Sequence, residues 1–437
     1  MLLHDQIAAN IGEKDGHLTF AGQDVTALAA QYGTPLYLMD EDRLRANCRL
    51  YTDTFARLLG EGHYRVLYAS KACSFKQMYR IMAEEHMGID VVSCGEIATA
   101  HAAGYDLSRA YFHSNNKTDA DIAYAMDRGI GYFVADNAEE VIAVEAEAAR
   151  RGVKQNLILR LTPGIDPHTY EAISTGKVDS KFGTAIETGQ AEEITAFTLR
   201  QPHIALKGFH CHIGSQVFGE DVYERGVKVM LEFIAMIRGK YGYTAEELDM
   251  GGGFGVPYVL EDGRPDTVGR IEGMVKVLRE TCEALGLPIP VIAMEPGRGI
   301  VADAGMTLYT AGTVKRITGY KNYVSIDGGM TDNPRYALYG AKYTVLPASR
   351  MDAPRTMVAD VVGRCCESGD IIQPAVSLPG ETCRGDIIAV CTTGAYNYSM
   401  ASNYNRIGRP PVVMLKDGTS YVAVRRETVE DVCALDV

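Results

Sequence analysis

The sequence predicts an α/β fold in which a (β/α)8 TIM-like barrel is followed by a second, mostly antiparallel β domain. Three observations lead to this prediction. Short apolar runs alternate with helical stretches over residues 43–305, residues that carry chemistry follow the ends of these runs, and the alternation stops near residue 305. Strands that alternate with helices pair in parallel through right-handed crossovers.

The first part of the chain contains eight strand-like runs, each followed by a polar or Gly-containing loop. The runs are VLYASKA (66–72), IDVVS (89–93), AYFHS (110–114), GYFVAD (131–136), LILRLTP (157–163), LKGFHCHIG (206–214), LDMGGG (248–253) and VIAMEPG (291–297). The plainest helix between them spans Glu139 to Gly152 and ends in Arg and Gly, which are typical of a helix C-terminus. Eight such units over about 250 residues fit a closed barrel better than an open doubly wound sheet, although both folds place ligands at strand ends.

The second part is rich in β-like runs with turn residues between them and little predicted helix. The runs are TLYTAGTVKRI (307–317), NYVSIDGG (322–329), RTMVADVVG (355–363), DIIAVCTTG (386–394), VVMLKDG (412–418) and SYVAVRR (420–426). LTFAGQDV (18–25) and PLYLMDED (35–42) near the N-terminus are also β-like. We therefore predict an N-terminal segment over 1–42 that packs with the β domain, a barrel over 43–305, and a C-terminal β domain over 306–437.

Composition narrows the class of protein. The 437 residues carry a formal net charge of −13 and no run of Lys or Arg, so nucleic acid and anionic membranes are poor candidate partners. The N-terminus lacks the basic-then-apolar order of a signal peptide and no stretch of 18 apolar residues occurs, so we expect a cytoplasmic protein. Ten scattered cysteines without a CxxC support neither a disulfide framework nor a zinc site.

Lys71 closes the first strand-like run, within YASKAC (68–73). A lysine there is unusual, because burying an ammonium group without a partner is costly. Taken alone, the position favours a lysine in solvent just past the strand. The functional alternative is a lysine whose amine forms a Schiff base with a cofactor.

Three Gly-rich turns follow other strand-like runs: HIGSQ (212–216), GGGFG (251–255) and EPGRG (295–299). Glycines allow backbone N–H groups to cradle a phosphate, and Ser215 can add a hydroxyl donor. None of the turns is a GxGxxG or a P-loop, so a nucleotide is not indicated. Three turns at successive strand ends predict a shared phosphate site.

Further polar motifs leave their role open. His210 and His212 share a strand face, which fits a metal pair or a flat imidazole covering a cofactor ring, although carboxylate partners at convincing spacing are missing. RCCESGD (364–370) places a thiol beside carboxylates, and a thiol can relay a proton. GAYNYSMASNYN (394–405) is dense in side chains of the kind that line polar pockets, while a solvated loop is the simpler alternative.

Together the motifs resemble the barrel-type, alanine-racemase-like family of pyridoxal-phosphate-dependent decarboxylases, and within it the diaminopimelate decarboxylases, from about Pro35 to Arg409. YASKAC is similar to the family's YAxKA motif, which makes Lys71 the Schiff-base lysine. The other matching motifs are DVVSCGE (90–96), HSNNK (113–117), SKFG (180–183), FHCHIGSQ (209–216), GGG (251–253), EPGR (295–298), DGGM (327–330), CESGD (366–370) and GAYNYSMASNYN (394–405). Cys73 and Cys94 depart from the family's common residues, and neither falls on an assigned role.

The resemblance implies a role for each site residue. The catalytic residues would be Lys71, His212, which stacks on the pyridine ring, and Cys366, the proton donor. The residues implied to bind pyridoxal 5'-phosphate are Lys71, His212, Ser215, Gly251, Gly252, Gly253, Glu295 (at the pyridine nitrogen), Gly297, Arg298 and Tyr396. The residues implied to bind substrate are Arg298, Arg335, Tyr339, Glu367 and Tyr396. No metal is implied, and the family's last loop reaches a neighbouring subunit, so Cys366 and Glu367 would act in trans within a homodimer.

The implied activity is decarboxylation of meso-2,6-diaminopimelate to L-lysine and CO2, the last step of lysine biosynthesis. Guanidinium forks suit the distant carboxylate and Glu367 suits the distant ammonium group. The alternatives are related decarboxylases for ornithine, arginine, carboxynorspermidine or a D-amino acid, an alanine racemase, and a catalytically silent relative. CESGD with an arginine pair favours the diaminopimelate form, Glu295 stands where racemases place an arginine, and silent relatives usually lack the lysine or the thiol.

Overall fold

The computed structural model describes residues 7–165, 181–219 and 221–437, which form two compact units. The β-rich unit contains the described chain up to Asn47, with Val256–Arg264 and Ile300–Val437, and the barrel unit contains Cys48–Gly255 and Pro265–Gly299. The regions 1–42, 43–305 and 306–437 stay a prediction. Ser180 of the SKFG motif lies outside the described residues.

The first elements of the chain are short strands and two helices. They are β1 (Ile11–Lys14), β2 (His17–Phe20), β3 (Gln23–Asp24), α1 (Val25–Tyr32), β4 (Leu36–Asp40) and α2 (Glu41–Leu59). The Asp24 carboxylate accepts hydrogen bonds from the backbone N–H groups of Thr26 and Ala27 and so caps α1. Strands β1, β2 and β3 form a small antiparallel sheet of their own.

The barrel unit alternates strands with helices. Its elements are β5 (Tyr64–Ala69), α3 (Lys76–Glu84), β6 (Gly88–Val91), α4 (Cys94–Ala102), β7 (Ala110–Phe112), α5 (Asp119–Asp127), β8 (Tyr132–Ala135), α6 (Ala138–Arg151), β9 (Gln155–Thr162), β10 (Thr184–Ala185), α7 (Gln190–Thr198), β11 (Ile204–His210), α8 (Val222–Tyr241), β12 (Glu247–Asp249), α9 (Thr267–Leu285) and β13 (Val291–Met294). The parallel order β5-β6-β7-β8-β9-β11-β12-β13 closes where β13 pairs with β5, and β10 adds a short pairing to β9. The predicted (β/α)8 barrel is confirmed, with a strand at each of the eight predicted runs.

Local sequence explains why these elements begin and end where they do. The strands are apolar, and their side chains form a buried interior cluster of Leu67, Tyr111, Val134, Ile158 and Ala293. Helix α6 begins at Ala138, directly after Asn137, whose side chain accepts the N–H of Glu140 and caps the helix. It ends before Gly152, which takes the left-handed conformation (φ 67°). This helix matches the one predicted between Glu139 and Gly152.

The last part of the chain is mostly strand. Its elements are α10 (Arg298–Val301), β14 (Gly305–Ile317), β15 (Lys321–Ile326), α11 (Arg335–Tyr339), β16 (Val345–Pro347), β17 (Met357–Val362), β18 (Ile371–Leu378), β19 (Ile387–Cys391), β20 (Val412–Lys416), β21 (Thr419–Val424) and α12 (Val429–Cys433). The sheet order is β18-β17-β15-β14-β4-β20-β21, with β19 joining β14 to β16. Only the β15–β17 and β4–β20 pairs are parallel, so the predicted mostly antiparallel β domain is confirmed.

The core of the β-rich unit explains this sheet. Leu36 and Leu38 on β4 pack with Met306 and Leu308 on β14 and with Val413 on β20, and all five side chains are buried.

Strands β16 and β18 were not predicted from the sequence. Among the helices of the described chain, none combines the length and apolar character needed to cross a membrane.

Candidate active site

Lys71 lies in a short turn, Ser70–Ala72, that follows strand β5 directly. Its side chain is exposed, which agrees with the simpler sequence alternative of a lysine just past the strand. The charge of Lys71 acts to lower the pKa values of Asp90, Glu96 and His212. The lysine therefore stands beside acidic and imidazole groups at the carboxyl end of a barrel strand, where barrel enzymes place their active sites.

Glu295 follows strand β13 and is held by two imidazoles. His113 Nε2 lies 2.6 Å from Glu295 Oε1, and His210 Nε2 lies 3.2 Å from Oε2. The two imidazole rings meet edge to face with centroids 5.0 Å apart, and all three side chains are buried. Because a carboxylate only accepts hydrogen bonds, His210 presents an N–H from its Nε2.

Burial and neighbouring charges set the protonation of this cluster. Burial opposes the charge of Glu295, but the two histidines outweigh it and hold the pKa of this carboxyl well below its ordinary value. Burial lowers the pKa of His210 to about 4. By contrast, burial raises the pKa of Asp90, and burial with the nearby charge of Glu295 raises that of Asp249. Glu295 is therefore an anion in an interior that disfavours other carboxylates.

The two histidines of the HxH motif have different partners. His210 contacts Glu295, whereas His212 Nδ1 accepts a hydrogen bond of 3.2 Å from the backbone N–H of Gly252. Burial, followed by the charge of Lys71, lowers the pKa of His212 well below its ordinary value. A neutral, oriented imidazole is thus available to cover a flat ring.

The sequence showed no carboxylate at a convincing spacing from the HxH motif. In the fold Glu295, which follows another strand, supplies that carboxylate. Together with His113 and His210 it offers three ligand atoms within 4.8 Å of one another. Two ligands of a tetrahedral zinc ion are about 3.3 Å apart, because metal–ligand bonds measure about 2.0–2.1 Å. The 2.6 Å between His113 Nε2 and Glu295 Oε1 is shorter than this and corresponds to a direct ion-pair contact between the two side chains.

The three Gly-rich turns lie against one another. Arg298 Nη2 donates a hydrogen bond of 3.0 Å to Ser215 Oγ, which joins the first turn to the third. A Cβ atom added at Gly252 would lie 2.1 Å from the carbonyl oxygen of Glu295, so only glycine fits at this point of the second turn. The three turns are therefore in contact with one another, and the shared phosphate site stays a prediction.

Two backbone donors in these turns are available to a ligand. Within the part of the chain that the structure describes, the N–H groups of Gly253 and Gly297 donate to no protein acceptor, whereas that of Gly251 donates to Asp249 Oδ1 at 2.8 Å. Unpaired N–H groups in Gly-rich turns bind anions, and a phosphate would satisfy both. These residues fit pyridoxal phosphate, which needs an amine for its aldehyde, a carboxylate for its ring nitrogen and donors for its phosphate.

In the β-rich unit, Arg335 begins helix α11 and is buried. Its Nη1 donates to the Tyr343 hydroxyl at 2.7 Å, its guanidinium lies 4.8 Å from the centroid of the Tyr258 ring, and Asn397 Nδ2 donates to the same hydroxyl at 3.3 Å. Among the described residues no carboxylate pairs with Arg335. A buried cation held in this way favours an anionic ligand.

Other predicted substrate residues lie near Arg335 in the chain or in charge contact with it. Tyr339 ends helix α11 and is exposed. Tyr396 is half-buried and takes the left-handed conformation (φ 61°). Its electrostatic interaction with Arg335 contributes to the raised pKa of that guanidinium.

Cys366 and Glu367 lie on the exposed loop between β17 and β18. The backbone N–H of Cys366 donates to Asn405 Oδ1 at 2.8 Å, so the CESGD and GAYNYSMASNYN motifs are in contact. The buried carboxylate of Asp370 accepts the N–H groups of Met330 at 2.6 Å and Cys365 at 2.7 Å, which fixes the same loop to the DGGM motif.

The structure thus gathers the predicted cofactor residues of the barrel in one unit and the predicted substrate residues Arg335 and Tyr396 in the other. Sequence reasoning missed the roles of His113 and Tyr343. His113 was only part of a matching motif, although its position at the end of the AYFHS run is the same kind of position that singled out Lys71. Nothing in the local sequence marks Tyr343 as the partner of Arg335.

Comparisons with known proteins agree with this geometry. The family model described as "Pyridoxal-dependent decarboxylase, pyridoxal binding domain" matches residues 41–302. The diaminopimelate decarboxylase of Bacillus subtilis (strain 168) is 40% identical over 438 residues, which covers 100% of this chain and 98% of the relative. That of Mycobacterium tuberculosis (strain ATCC 25618 / H37Rv) is 38% identical over 430 residues, with 97% and 95% covered.

A solved structure of the diaminopimelate decarboxylase from M. jannaschii in co-complex with L-lysine has a TM-score of 0.92 at 30% identity, and 100% of this chain and 99% of that chain are covered. The family match, the full-length relatives and the shared fold all point to the same group of proteins. This chain belongs to the pyridoxal-dependent decarboxylases and, within them, to the diaminopimelate decarboxylase family.

Proposed function

We propose that this protein decarboxylates meso-2,6-diaminopimelate to L-lysine and CO2, the last step of lysine biosynthesis, with pyridoxal 5'-phosphate as cofactor. The observation that carries the proposal is the arrangement at the carboxyl ends of the barrel strands. Three features occur together there: the exposed Lys71, the buried and ionised carboxylate of Glu295, and two available N–H groups in Gly-rich turns. Membership of the family and likeness to a structure described with L-lysine support the choice of reaction.

In the barrel unit, the residues divide the work of holding the cofactor. Lys71 attaches it through its ε-amine, and His212 presents its imidazole to the ring face. Glu295, as a carboxylate, would accept a hydrogen bond from the ring nitrogen and keep that nitrogen protonated. The phosphate is bound by Ser215, by the turn of Gly251, Gly252 and Gly253, and by the backbone of Gly297 and Arg298. Tyr396 of the β-rich unit adds a hydrogen bond. Pyridoxal phosphate, when bound, supplies the electron sink that makes loss of CO2 possible.

The substrate carries an ammonium and a carboxylate at each end. Arg298 and Arg335 bind the distant carboxylate, because a guanidinium binds it bidentately. Glu367 binds the distant ammonium group, and the Tyr339 and Tyr396 hydroxyls complete the site. Cys366 donates the proton that replaces the lost carboxylate.

The proposal extends to assembly and location. We propose a cytoplasmic homodimer in which Cys366 and Glu367 complete the site of the neighbouring subunit. We also propose that residues 1–42 pack with the C-terminal domain over 306–437, and that residues 43–305 form the cofactor-binding barrel. The loop position and exposure of both residues of the pair support their contribution to a neighbouring subunit.

A product assay tests the reaction. Purified protein reconstituted with pyridoxal phosphate is supplied with meso-diaminopimelate, L-lysine or L-ornithine, and released CO2 and the amine product are measured. A substrate without the second carboxylate leaves the buried arginine unpaired. A buried neutral group without a partner costs about 1–3 kcal/mol and a charged group costs more, so such substrates should react far more slowly. Equal turnover of ornithine and diaminopimelate would contradict the proposal.

Two variants sharpen this assay. Arg335→Ala should reduce turnover of diaminopimelate more than that of lysine, whereas Arg316→Ala, an exposed arginine that contacts the Gly380 carbonyl, should change neither. Borohydride treatment should fix the cofactor to Lys71, as read by peptide mass spectrometry. An adduct on another lysine would refute the cofactor assignment.

Complementation tests the shared site. Inactive Lys71→Ala and inactive Cys366→Ala proteins are mixed under conditions of subunit exchange. One site in each mixed dimer would contain both residues, so activity should recover to about a quarter of the wild-type value. No recovery, with exchange demonstrated by mass spectrometry, would place both residues in one chain.

A further inference from the structure

The two imidazoles that contact Glu295 come from strands that are not neighbours of its own strand. His113 follows β7, His210 ends β11 and Glu295 follows β13, and no two of these strands are adjacent in the barrel order. The three side chains therefore meet across the barrel interior. Each oxygen of the carboxylate contacts a different imidazole, at 2.6 Å and 3.2 Å.

The surrounding interior shows what these contacts achieve. Asp90 and Asp249 are buried to the same degree as Glu295, but their pKa values are raised by burial, whereas that of Glu295 is lowered. The difference is that both oxygens of Glu295 face imidazole Nε2 atoms. His210 is neutral at physiological pH, since burial lowers its pKa to about 4, and therefore donates as the Nε2–H tautomer.

We propose that His113 and His210 are positioning residues that keep Glu295 ionised and oriented, so that its carboxylate keeps the ring nitrogen of the cofactor protonated. The inference rests on the proposed function, which assigns Glu295 to that nitrogen. Neither histidine needs to touch the substrate. Each acts through Glu295, in the way that ligand-orienting groups act through the residues they hold.

The test compares two cofactors that differ in one atom. Pyridoxal phosphate has a ring nitrogen, and its 5-deaza analogue has a carbon there and no proton for Glu295 to hold. Dissociation constants of both are measured by equilibrium dialysis against the apoprotein of the wild type, His113→Ala, His210→Ala, His113→Gln and His210→Gln. The exposed His63→Ala serves as the matched control.

The wild type should prefer pyridoxal phosphate over the analogue. Each alanine variant should lose about 10- to 100-fold of that preference, the equivalent of one hydrogen bond to a charged group. Glutamine keeps an N–H donor and should restore part of it, while His63→Ala should leave it unchanged. In Glu295→Gln protein the further change His113→Ala should have no additional effect, because its target is gone.

The outcomes separate the inference from the proposed function. If the wild type binds and uses pyridoxal phosphate but the alanine variants weaken both cofactors equally, the histidines are structural and the inference is wrong. A stoichiometric metal ion in the apoprotein, whose removal by a chelator changes the preference, would also overturn it. If the wild type binds no pyridoxal phosphate at Lys71, the proposed function itself fails. The ratio of the two dissociation constants is measured within each protein. A loss of protein stability that weakens the binding of both cofactors equally therefore cancels.

Discussion

Lys117 and Glu140 form an ion pair inside the barrel unit that offers a direct test of its electrostatics. Both side chains are buried, and the Lys117 ammonium donates to Glu140 Oε1, to the Val134 carbonyl at 2.8 Å and to the Ser114 carbonyl at 3.2 Å. The other carboxylate oxygen of Glu140 accepts the N–H of Asp136 at 3.0 Å. The pair thus fixes the loops that follow β7 and β8 to the start of helix α6.

Replacing Lys117 with methionine should lower the free energy of unfolding by about 3–5 kcal/mol at pH 8, because it leaves a buried carboxylate without its cation. The effect should depend on pH in a defined direction. Burial already raises the pKa of Glu140, against the opposing influence of Lys117, and loss of the lysine raises it further. A raised folded-state pKa gives stability that is lost as pH rises, so the deficit should shrink by about 1.4 kcal/mol per pH unit towards pH 5.

Urea unfolding followed by circular dichroism measures these values for the wild type, Lys117→Met, Glu140→Gln and the double variant. Glutamine retains an acceptor for the Asp136 N–H but no charge, so the double variant should be more stable than Lys117→Met and should lack its pH dependence. Lys240→Met, which breaks the exposed pair with Glu192, should leave the urea midpoint unchanged. The reasoning is refuted if the double variant is as unstable as Lys117→Met at pH 8, or if the deficit is the same at pH 5.

Three further outcomes are expected. Gly252→Ala places a Cβ atom 2.1 Å from a backbone oxygen and should weaken pyridoxal phosphate binding, measured by dialysis, by more than the about tenfold that one hydrogen bond explains. Tyr343→Phe removes the hydroxyl that holds Arg335 and should raise the KM for diaminopimelate about tenfold with little change in kcat, as steady-state kinetics would show. Burial raises the pKa of Asp332 to about 7, so unfolding free energy should fall as pH rises from about 4 to 7, and Asp332→Asn should flatten that slope in urea titrations.

The strands of the barrel could be predicted because each is an apolar run of the right length, but their carboxyl ends could not. The run VLYASKA (66–72) continues in sequence through Lys71, whereas β5 ends at Ala69, and LKGFHCHIG (206–214) continues past the end of β11 at His210. Residues beyond these points leave the ladder and form the loops that carry the site. Hydrophobicity alone does not change where backbone pairing stops, so the pattern overestimates each strand.

Strands β16 and β18 were missed for different physical reasons. β16, Val345–Pro347, has three residues and pairs only with β19, so it has too few positions to show an alternation. β18 contains Pro374 and then Ala375, which takes a positive φ of 54°. Its pairing with β17 shifts in register near this point, which is where a proline is tolerated in a strand but reads as a break in the sequence.

The candidate site shows the same limit at the level of single side chains. Asp90, Asp249 and Glu295 each lie within one of the strand-like runs, and no feature of the local sequence ranks one above another as an anion. Only the folded chain brings two imidazoles to Glu295 and leaves the other two carboxyls with burial as the dominant influence on their pKa. Charge in a buried site is therefore decided by donors that arrive from remote strands. A sequence motif identifies which residues are ionisable, and the contacts made in the closed barrel determine which of these carboxyl groups is ionised.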